Sequence, residues 1–423
     1  MVPFAFIKKH SKTLALFAGG QLVVQFLNII AGFLVIRWML KEEFAKFTLA
    51  FSIQNTFGML VEMGLSAAFL AFIGDNVNDK VHVSKYYNAV LFWRKRLLLV
   101  IIPVSLISYF YLTHGKGWDT KTLLLLYLAI PFAIYFQGFS SFYAVILQLK
   151  KDVKKVYLIQ ISIAVFKIVM LLIIFWLNIL YSWTYLLLNA FLIMFSTLLL
   201  SAKVNDLIAI ATPSRESVRS IINYIKPTIL GITFSAIQSQ IAIVLISIFG
   251  STSGIADMGA LGRLSQLFLF LSAFNGVILQ PWFARMPHRD VLKRTMMTFF
   301  FLSTFLIVVT VVSFRYPILF IKLLGVTYGN LKSEFGWIVL ISSIGYLSTV
   351  INSIGSARKW IYWWPNVVYM VIFFFTTIVA ILFFNLSEVK GVINYTLLFT
   401  LLNFFLLVVY FCYGLMKDTK ASS

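Results

Sequence analysis

Charged side chains are scarce in this sequence, and so are the residue types that build disulfides and metal sites. Only 12% of the 423 residues are charged and 61% are hydrophobic, too few charges to cover a soluble surface of this size. The single cysteine, Cys412, excludes an internal disulfide. The four histidines (His10, His82, His114 and His288) fall in predicted loops without the spacing of metal ligands. No glycine cluster has a phosphate-loop pattern, so we expect neither a metal nor a cofactor.

In place of charged and metal-binding residues, the chain contains long apolar runs. A run of roughly 20 residues crosses the hydrocarbon core of a bilayer, and none of the runs shows the period-two alternation of a β-barrel span. The composition and the runs predict an all-α polytopic membrane protein with about 12 transmembrane helices. These spans lie at about 14 to 36, 47 to 73, 97 to 113, 122 to 147, 156 to 177, 183 to 202, 227 to 249, 258 to 284, 295 to 313, 335 to 355, 362 to 385 and 391 to 414.

The distribution of basic residues predicts the orientation. With the N-terminus in the cytoplasm, about 24 of the 35 Lys and Arg residues fall in cytoplasmic segments and about nine fall outside. The cytoplasmic set includes Arg94, which we place in the loop before the third span. We therefore expect an even number of spans, with both termini in the cytoplasm. The net charge of +21 then reflects this bias and an attraction to anionic membrane lipids, rather than a nucleic-acid partner.

Polar residues inside the spans recur at helical spacing, which keeps them on one face of each helix. Interhelical hydrogen bonds explain any single amide equally well, but the concentration in four helices favours a polar cavity. The first helix carries Gln21, Gln25, Asn28 and Gly32, the second Asn55, Gly58 and Glu62, the seventh Gly231, Ser235 and Gln238, and the eighth Arg263 and Gln266.

Three charged residues, Glu62, Lys167 and Arg263, fall deep within the predicted spans, where such residues usually have a function. Glu62 and Lys167 lie at the same depth, ~16 Å from the inner ends of their helices. We expect them to pair, either as a structural contact or as a switch sensitive to protons or sodium. Arg263 lies nearer the outer end of its helix. It either contacts an anionic substrate or extends to the interface.

Six segments together match one known pattern. They are an opening stretch with a polar first helix (20–53), the acidic turn into helix two that this stretch contains (39–44, MLKEEF), an acidic motif in helix two (61–66, VEMGLS), a basic loop (148–155), the entry to helix eight (254–266) and a loop after helix ten (355–359). These segments resemble the polysaccharide-transport proteins of the multidrug/oligosaccharidyl-lipid/polysaccharide (MOP) superfamily, which include the O-antigen flippases. Two positions depart from the family pattern, since Ala45 stands where the family has Gly and Met258 where it has Tyr.

The resemblance implies two six-helix lobes, residues 1–202 and 227–423, joined by a cytoplasmic linker at 203–226 and surrounding a central cavity. A loose sequence similarity between residues 45–54 and 256–266 agrees with such an internal repeat. The implied function is that of a flippase, not an enzyme. It would carry an undecaprenyl-pyrophosphate-linked oligosaccharide to the outer face of the membrane, alongside a polymerase and a chain-length regulator. The expected cavity residues are Gln21, Gln25, Asn28, Gln238, Arg263 and Gln266.

Two other classes of function remain open. A multidrug exporter of the same superfamily would bind cationic aromatic compounds, which Arg263 would repel. A membrane O-antigen polymerase or ligase would have a similar number of spans but would be expected to carry a large outward loop with catalytic residues. The longest predicted outward segment, at about 314 to 334, is short and has one acidic residue.

Overall fold

The computed structural model describes residues 4–74, 76–150, 152–209, 211–360 and 362–422, and every long element in these ranges is a helix. This confirms the predicted all-α class. The α-helices are α1 (Phe4–Trp38), α2 (Lys41–Glu62), α3 (Leu65–Ile73), α4 (Lys80–Thr113), α5 (Thr120–Phe136), α6 (Phe139–Leu149), α7 (Val153–Trp176), α8 (Ser182–Ser201), α9 (Arg215–Ile225), α10 (Ile229–Gln238), α11 (Ile241–Phe249), α12 (Thr252–Phe274), α13 (Gln280–Ala284), α14 (His288–Arg315), α15 (Pro317–Leu324), α16 (Lys332–Ala357), α17 (Trp364–Phe383) and α18 (Val389–Ser422).

Eleven segments of the described chain are long and apolar enough to cross a membrane, which confirms the polytopic architecture. Several spans consist of two consecutive helices, such as α2 with α3 and α5 with α6. The predicted eighth span is divided into α12, a π-helical turn at Asn275–Leu279, and α13, and it is not among the eleven. The predicted orientation of the termini stays a prediction.

The starts of two spans lie more than ten residues before the predicted positions. The third span begins at Lys80 rather than at about 97, because the cluster of basic residues that we read as a loop is helical and belongs to α4. The seventh begins at Arg215 rather than at about 227, because α9 continues through one 3₁₀ turn (Lys226–Thr228) into α10. Pro227 is the second residue of that turn. Proline is tolerated in the first turn of a helix, because the N–H group that it lacks would have no partner within the helix there.

The described chain divides into two compact units. The first unit comprises residues 1–31 and 38–248, and the second comprises residues 32–37 and 249–423. In the first, α3, α4, α6 and α9 share a core that includes Phe69, Val83, Phe142 and Ile221, all fully buried. The sequence analysis predicts a different division, into two six-helix lobes that end at 202 and begin at 227. That division stays a prediction.

In the second unit, α16 is the central helix and packs against α12, α14 and α18. Arg358, just after α16, donates from Nη1 to the carbonyl of Met286 (2.9 Å) and contacts the carboxylate of Asp418 in α18 (3.2 Å). The Tyr410 hydroxyl donates to the carbonyl of Trp360 at 2.6 Å. The 355–359 loop motif therefore has a structural role, since its arginine connects three segments of this unit.

The segment that follows α8 is held against α4 by two side chains. Ser84 accepts a hydrogen bond from the amide of Ala209 (2.9 Å), and Asn88 donates to the carbonyl of Ala209 (2.8 Å). Asn88 also accepts from the amide of Ala211 at 3.2 Å. These contacts hold the backbone of Ala209 and Ala211 against α4. The later part of the predicted 203–226 segment, from Arg215, is the helix α9 with which the seventh span begins.

The acidic turn at 39–44 contains a buried ionic network. Oε1 of Glu43 contacts the ammonium of Lys46 at 2.7 Å, and its Oε2 accepts from both the amide (2.8 Å) and the hydroxyl (2.7 Å) of Ser182. Ser182 is the first residue of α8, so the carboxylate lies at the positive end of that helix. The network fixes the start of α8 against α2, which explains an acidic residue at this buried position.

We predict that Glu43→Gln will lower the unfolding temperature of the purified protein by several degrees. The amide cannot replace the charge that balances Lys46, and leaving a buried partner unsatisfied costs about 1–3 kcal/mol. Thermal unfolding in detergent measures the effect. Glu42→Gln is the matched control, because the side chain of Glu42 is 64% exposed although it also contacts Lys46. Equal unfolding temperatures for the two variants would contradict the structural role of Glu43.

We further predict that Asn88→Ala will loosen the segment around Ala209 and Ala211 from α4, because the substitution removes one hydrogen bond to the backbone of each residue. Limited proteolysis should then cleave within residues 205–214 several times faster than in the wild type. Asn223→Ala replaces an exposed asparagine of α9 and serves as the control. Unchanged cleavage in Asn88→Ala would show that other contacts hold the segment.

Candidate functional site

Two spans of the first unit are interrupted by short breaks. α2 ends at Glu62, and the next two residues, Met63 (φ 37°) and Gly64 (φ 79°), are both left-handed before α3 begins. α5 ends at Phe136, and Gln137 and Gly138 separate it from α6. Broken helices within a span leave backbone groups available to side chains and ligands, and transporters use such breaks as binding sites.

Arg94 of α4 reaches the break between α5 and α6. Its side chain is almost completely buried, with 1% of the residue exposed. Nη2 donates to the carbonyls of Tyr135 (2.9 Å) and Ile134 (3.3 Å) in the last turn of α5. The guanidinium also lies over the ring of Phe139, 4.5 Å from its centroid. The negative end of α5 and an aromatic face thus stabilise a cation inside the span.

Glu62 reaches the same place from α2. Its Oε1 accepts a hydrogen bond from the amide of Ser66 (2.9 Å) and so caps the first turn of α3. Its Oε2 and the Nη1 of Arg94 both approach Gly138 so closely that one added methyl group there would collide with each. The carboxylate and the guanidinium therefore face each other across Gly138 and interact electrostatically.

The prediction that Glu62 contacts Lys167 is wrong. Lys167 instead places its Nζ 5.6 Å from the centroid of the Tyr185 ring in α8. The main neighbours of α2 are α4, α5, α8 and α10, whereas α7 packs against α6 and α8. Equal depth along two helices does not determine which faces meet, and here the partner of Glu62 is Arg94. The functional roles proposed for Glu62 and Lys167 stay predictions.

Arg94 is the residue that sequence reasoning missed, because its neighbours Lys95 and Arg96 suggested a basic loop. Those two side chains are exposed, whereas Arg94 lies on the buried face of α4. The buried positions 87, 90, 94, 98 and 101 recur every three or four residues along α4. Helical periodicity extended through the basic cluster would have placed Arg94 on that face.

Other polar groups surround this cluster. The Gln137 amide packs against Gly58 of α2, and its Oε1 is buried without a hydrogen-bond partner among the described residues. The hydroxyls of Tyr87 and Tyr143 share a hydrogen bond of 2.8 Å. We define the Arg94 cluster as Glu62, Arg94, Gln137 and Gly138. It joins the two helix breaks through the buried guanidinium of Arg94 and the half-buried carboxylate of Glu62.

The expected cavity residues of α1 and α10 belong to the first unit. Gln21, Gln25 and Gln238 are half-buried, and Asn28 is exposed. Oε1 of Gln25 is buried with no hydrogen-bond partner in the described part of the chain, and Nδ2 of Asn28 donates to Val24 in its own helix at 3.0 Å. Gln238 is the last residue of α10, next to the break before α11. Their role in binding stays a prediction.

Arg263 and Gln266 of α12 lie together in the second unit. Nη1 of Arg263 donates to Oε1 of Gln266 at 3.2 Å. A methyl group on Gly32 of α1 would lie 3.6 to 3.7 Å from the Arg263 side chain, which is ordinary contact. The half-buried guanidinium is therefore turned along α12 towards Gln266, with the backbone of α1 beside it.

Further along the same helix, the π-helical turn begins at Asn275. This side chain donates to the Thr349 hydroxyl (3.0 Å) and accepts from the Tyr346 hydroxyl (3.1 Å) of α16. Ser265 and Ser342 also join α12 to α16, through a hydrogen bond of 3.0 Å. The wider turn places Asn275 against α16, and π-turns of this kind are frequent at functional sites.

Within the described residues, no group of three or more His, Cys, Asp or Glu side chains could hold a metal ion. The expectation that the protein uses no cofactor stays a prediction.

Comparison with known proteins identifies the fold. No curated protein matches the sequence. An inward-facing multidrug-resistance MATE-family transporter of the MOP superfamily matches with a TM-score of 0.69 and 15% identity, over 94% of this chain and 95% of that one. A eukaryotic MATE transporter matches with a TM-score of 0.62 and 12% identity, over 99% and 100%. A MOP-superfamily transporter from Pyrococcus furiosus, described as having a binding pocket of reverse polarity, matches with a TM-score of 0.63 and 15% identity, over 97% and 96%.

Sequence comparison identifies the family. The family described as "Polysaccharide biosynthesis protein" matches residues 12–287, which is more than half of the chain. This match, with the MATE-like fold, confirms the resemblance inferred from the sequence motifs. The chain therefore belongs to the polysaccharide biosynthesis protein family, within the MOP superfamily of transporters.

Proposed function

We propose that this protein is a flippase that moves an undecaprenyl-pyrophosphate-linked oligosaccharide from the cytoplasmic to the outer face of the bacterial inner membrane. The observation that carries the proposal is a guanidinium held by a neighbouring amide on α12, Arg263 with Gln266, in a member of the polysaccharide biosynthesis protein family. We further propose that transport follows alternating access. A polymerase and a chain-length regulator would act on the product.

The chemistry of the substrate explains why such a group is needed. A sugar-pyrophosphate head cannot cross ~30 Å of hydrocarbon with its hydroxyls and charges unpaired. A guanidinium forms two parallel hydrogen bonds to a pyrophosphate or a carboxylate, and an adjacent amide suits sugar hydroxyls. Arg263 and Gln266 supply both kinds of group on one helix face of the second unit.

The direction of the Arg263 side chain favours a substrate role over extension to the membrane interface. In the predicted topology, α12 runs from the outer to the inner side, so Gln266 lies deeper than Arg263. The guanidinium points towards Gln266, which is away from the outer interface. An arginine that only extended its charge to water would point the other way.

A multidrug exporter is the second candidate, because two of the structures with this fold are MATE-family transporters, one of them named for multidrug resistance. One fold can serve both a flippase and a multidrug exporter, so the chemistry of the site must distinguish the two functions. A guanidinium repels the cationic aromatic compounds that an exporter would carry, and it attracts a pyrophosphate. A polymerase or ligase ranks third, since the fold match is to transporters.

The proposal is tested by deleting the gene in its own host and locating the lipid-linked oligosaccharide. A flippase deletion should trap the oligosaccharide on the inner leaflet, where an impermeant lectin or glycosidase added to spheroplasts cannot reach it. Expression of the wild-type chain should restore access. Normal access in the deletion strain, together with increased sensitivity to cationic dyes, would contradict the flippase and support the exporter.

We predict that Arg263→Ala will reduce export at least tenfold while membrane insertion and abundance stay at wild-type levels. The loss of one buried charge-assisted contact to a substrate is worth ~2–3 kcal/mol, which exceeds a factor of ten. Arg263→Lys should retain partial activity, since a lysine keeps the charge but not the planar fork. Surface glycan per cell, normalised to protein abundance, is the measurement.

The control for this prediction is Arg315→Ala, which removes an exposed arginine at the end of α14. Its export should stay within twofold of the wild type. Normal surface glycan in Arg263→Ala would exclude Arg263 as a substrate contact.

A further inference from the structure

Three cations follow one exposed face along α9 and directly after it. Arg215, Arg219 and Lys226 are four and seven residues apart, which is about one and two helical turns, and all three side chains are exposed. The one acidic residue of α9, Glu216, contacts the ammonium of Lys85 in α4 at 2.9 Å. Since another lysine balances Glu216, the exposed side of the helix is positive. We call Arg215, Arg219 and Lys226 the α9 basic face.

The opposite side of α9 is buried in the protein. Ile221 and Ile225 belong to the core that α9 shares with α3, α4 and α6, and they are 0% and 3% exposed. The indole N–H of Trp93 in α4 donates to the carbonyl of Val218 at 2.9 Å. Because this packing and this hydrogen bond hold the helix, its cations are turned away from the first unit. The apolar side of α9 is used within the unit, and the polar side is left for another partner.

The α9 basic face lies where a membrane span leaves the hydrocarbon. The span that begins with α9 is Arg215–Gln238. No charged side chain occurs between Lys226 and Asp257. That uncharged run exceeds the roughly 20 residues that cross a hydrocarbon core, so the cations before it belong at the level of the lipid headgroups. In the predicted topology, these are the headgroups of the inner leaflet.

Aromatic side chains indicate the same level. The exposed Tyr224 of α9 meets the ring of Phe72 edge to face, with the ring centroids 5.8 Å apart. Phe72 stacks in turn on Tyr86 of α4, at 4.8 Å between the centroids. Tyrosine and tryptophan concentrate at membrane interfaces, because each combines an apolar ring with a polar group. Together with Trp93, the two tyrosines indicate that α9 borders a membrane surface.

A phospholipid with a negative headgroup fits this surface best. A guanidinium forms paired hydrogen bonds to a phosphate, and Arg215 and Arg219, one helical turn apart, are close enough to bind one phosphate together. Cations at the headgroup level attract anionic lipids, whereas the ammonium of a zwitterionic lipid opposes that attraction. A nucleic acid or an acidic protein would bind a basic face in water, but the aromatic side chains indicate that this face borders lipid.

A lipid bound at this face would act on a helix that covers a break. Gly64 lies in the left-handed break between α2 and α3. A methyl group added to Gly64 would lie 3.8 Å from Ile225 of α9 and 3.2 Å from Ile232 of α10. The end of α9 therefore packs over the first break. Holding α9 at the membrane surface would also hold that cover in place.

We propose that the α9 basic face binds the headgroup phosphates of anionic phospholipids and thereby fixes α9, and the helix break beneath it, at the membrane surface. This inference goes beyond the proposed flippase function and does not depend on the transported substrate. It makes the lipid composition of the membrane a regulator of the first unit.

Lipid binding is measured by native mass spectrometry of the purified chain, titrated with phosphatidylglycerol or with phosphatidylcholine that has the same acyl chains. We expect the wild type to bind phosphatidylglycerol roughly tenfold more tightly than phosphatidylcholine. A variant with Arg215→Gln, Arg219→Gln and Lys226→Gln together should lose most of this preference, because the headgroup charge then has no partner on α9. Equal affinity of the wild type for the two lipids would overturn the proposal.

Two further variants separate the charge of this face from folding and from net charge. Arg215→Lys with Arg219→Lys keeps the charge and should keep most of the preference. The matched control removes three exposed cations from three different helices (Lys121→Gln, Arg315→Gln and Lys390→Gln) and should keep all of it. A control that loses as much preference as the glutamine variant of α9 would show that net charge, rather than this face, attracts the lipid.

Amide hydrogen exchange in nanodiscs locates the contact. In the wild type, residues 215–226 should exchange severalfold more slowly in phosphatidylglycerol than in phosphatidylcholine, and residues 62–66 at the first break should show the same direction of change. Each variant is compared with itself in the two lipids, so the substitutions do not bias the comparison. The glutamine variant of α9 should lose the difference. Protection that persists in this variant would overturn the assignment to the α9 basic face.

Inorganic phosphate distinguishes a lipid site from a site for a soluble anion. When phosphate is added to the phosphatidylcholine nanodiscs, exchange at residues 215–226 should not change, because a phosphate in solution lacks the lipid that holds the headgroup beside α9. Protection by inorganic phosphate equal to that by phosphatidylglycerol would overturn the lipid assignment and favour a soluble ligand. None of these measurements uses the oligosaccharide, so they remain valid if the protein proves not to be a flippase.

Discussion

The structure depends on one constraint, which is that hydrocarbon offers no hydrogen bonds to a polar group. Each polar group buried inside a span must therefore be satisfied by the protein itself. Glu43 is satisfied by the start of α8, and Arg94 by the end of α5. Helix ends are the natural partners for such charges, because their backbone groups are not used within the helix. The broken spans create helix ends within the membrane, and Glu62 and Arg94 lie at two of these ends.

The two units use this solution for different purposes. In the first unit, the Arg94 cluster brings one positive and one negative charge together. In the second unit, the Arg263 guanidinium donates to the neutral amide of Gln266. A balanced pair suits conformational control, whereas a cation beside an amide suits a phosphate or a sugar acid. This division follows from the partners of each arginine.

The fold class and the approximate number of spans could be predicted, because both depend mainly on the length of the hydrophobic runs. The helix breaks could not, since Met63 and Gly64 interrupt a continuous apolar run without any polar linker. The partner of Glu62 was mistaken for Lys167, because sequence position gives the depth of a residue but not the face it shares with another helix. The adjacent basic residues Lys95 and Arg96 predict a loop at Arg94, whereas the helical periodicity of α4 places Arg94 on its buried face. The closeness of Arg263 and Gln266 was predictable, since three residues separate neighbours on one helix face.

The central claim is that this chain moves a lipid-linked oligosaccharide across a bilayer. The most direct measurement uses purified protein reconstituted into liposomes that contain the lipid-linked oligosaccharide in both leaflets. A glycosidase added outside removes the sugar that it can reach. The account predicts that the accessible fraction rises from about half to nearly all of the substrate when active protein is present. An accessible fraction that stays near half, with correctly folded protein in the vesicles, would contradict it.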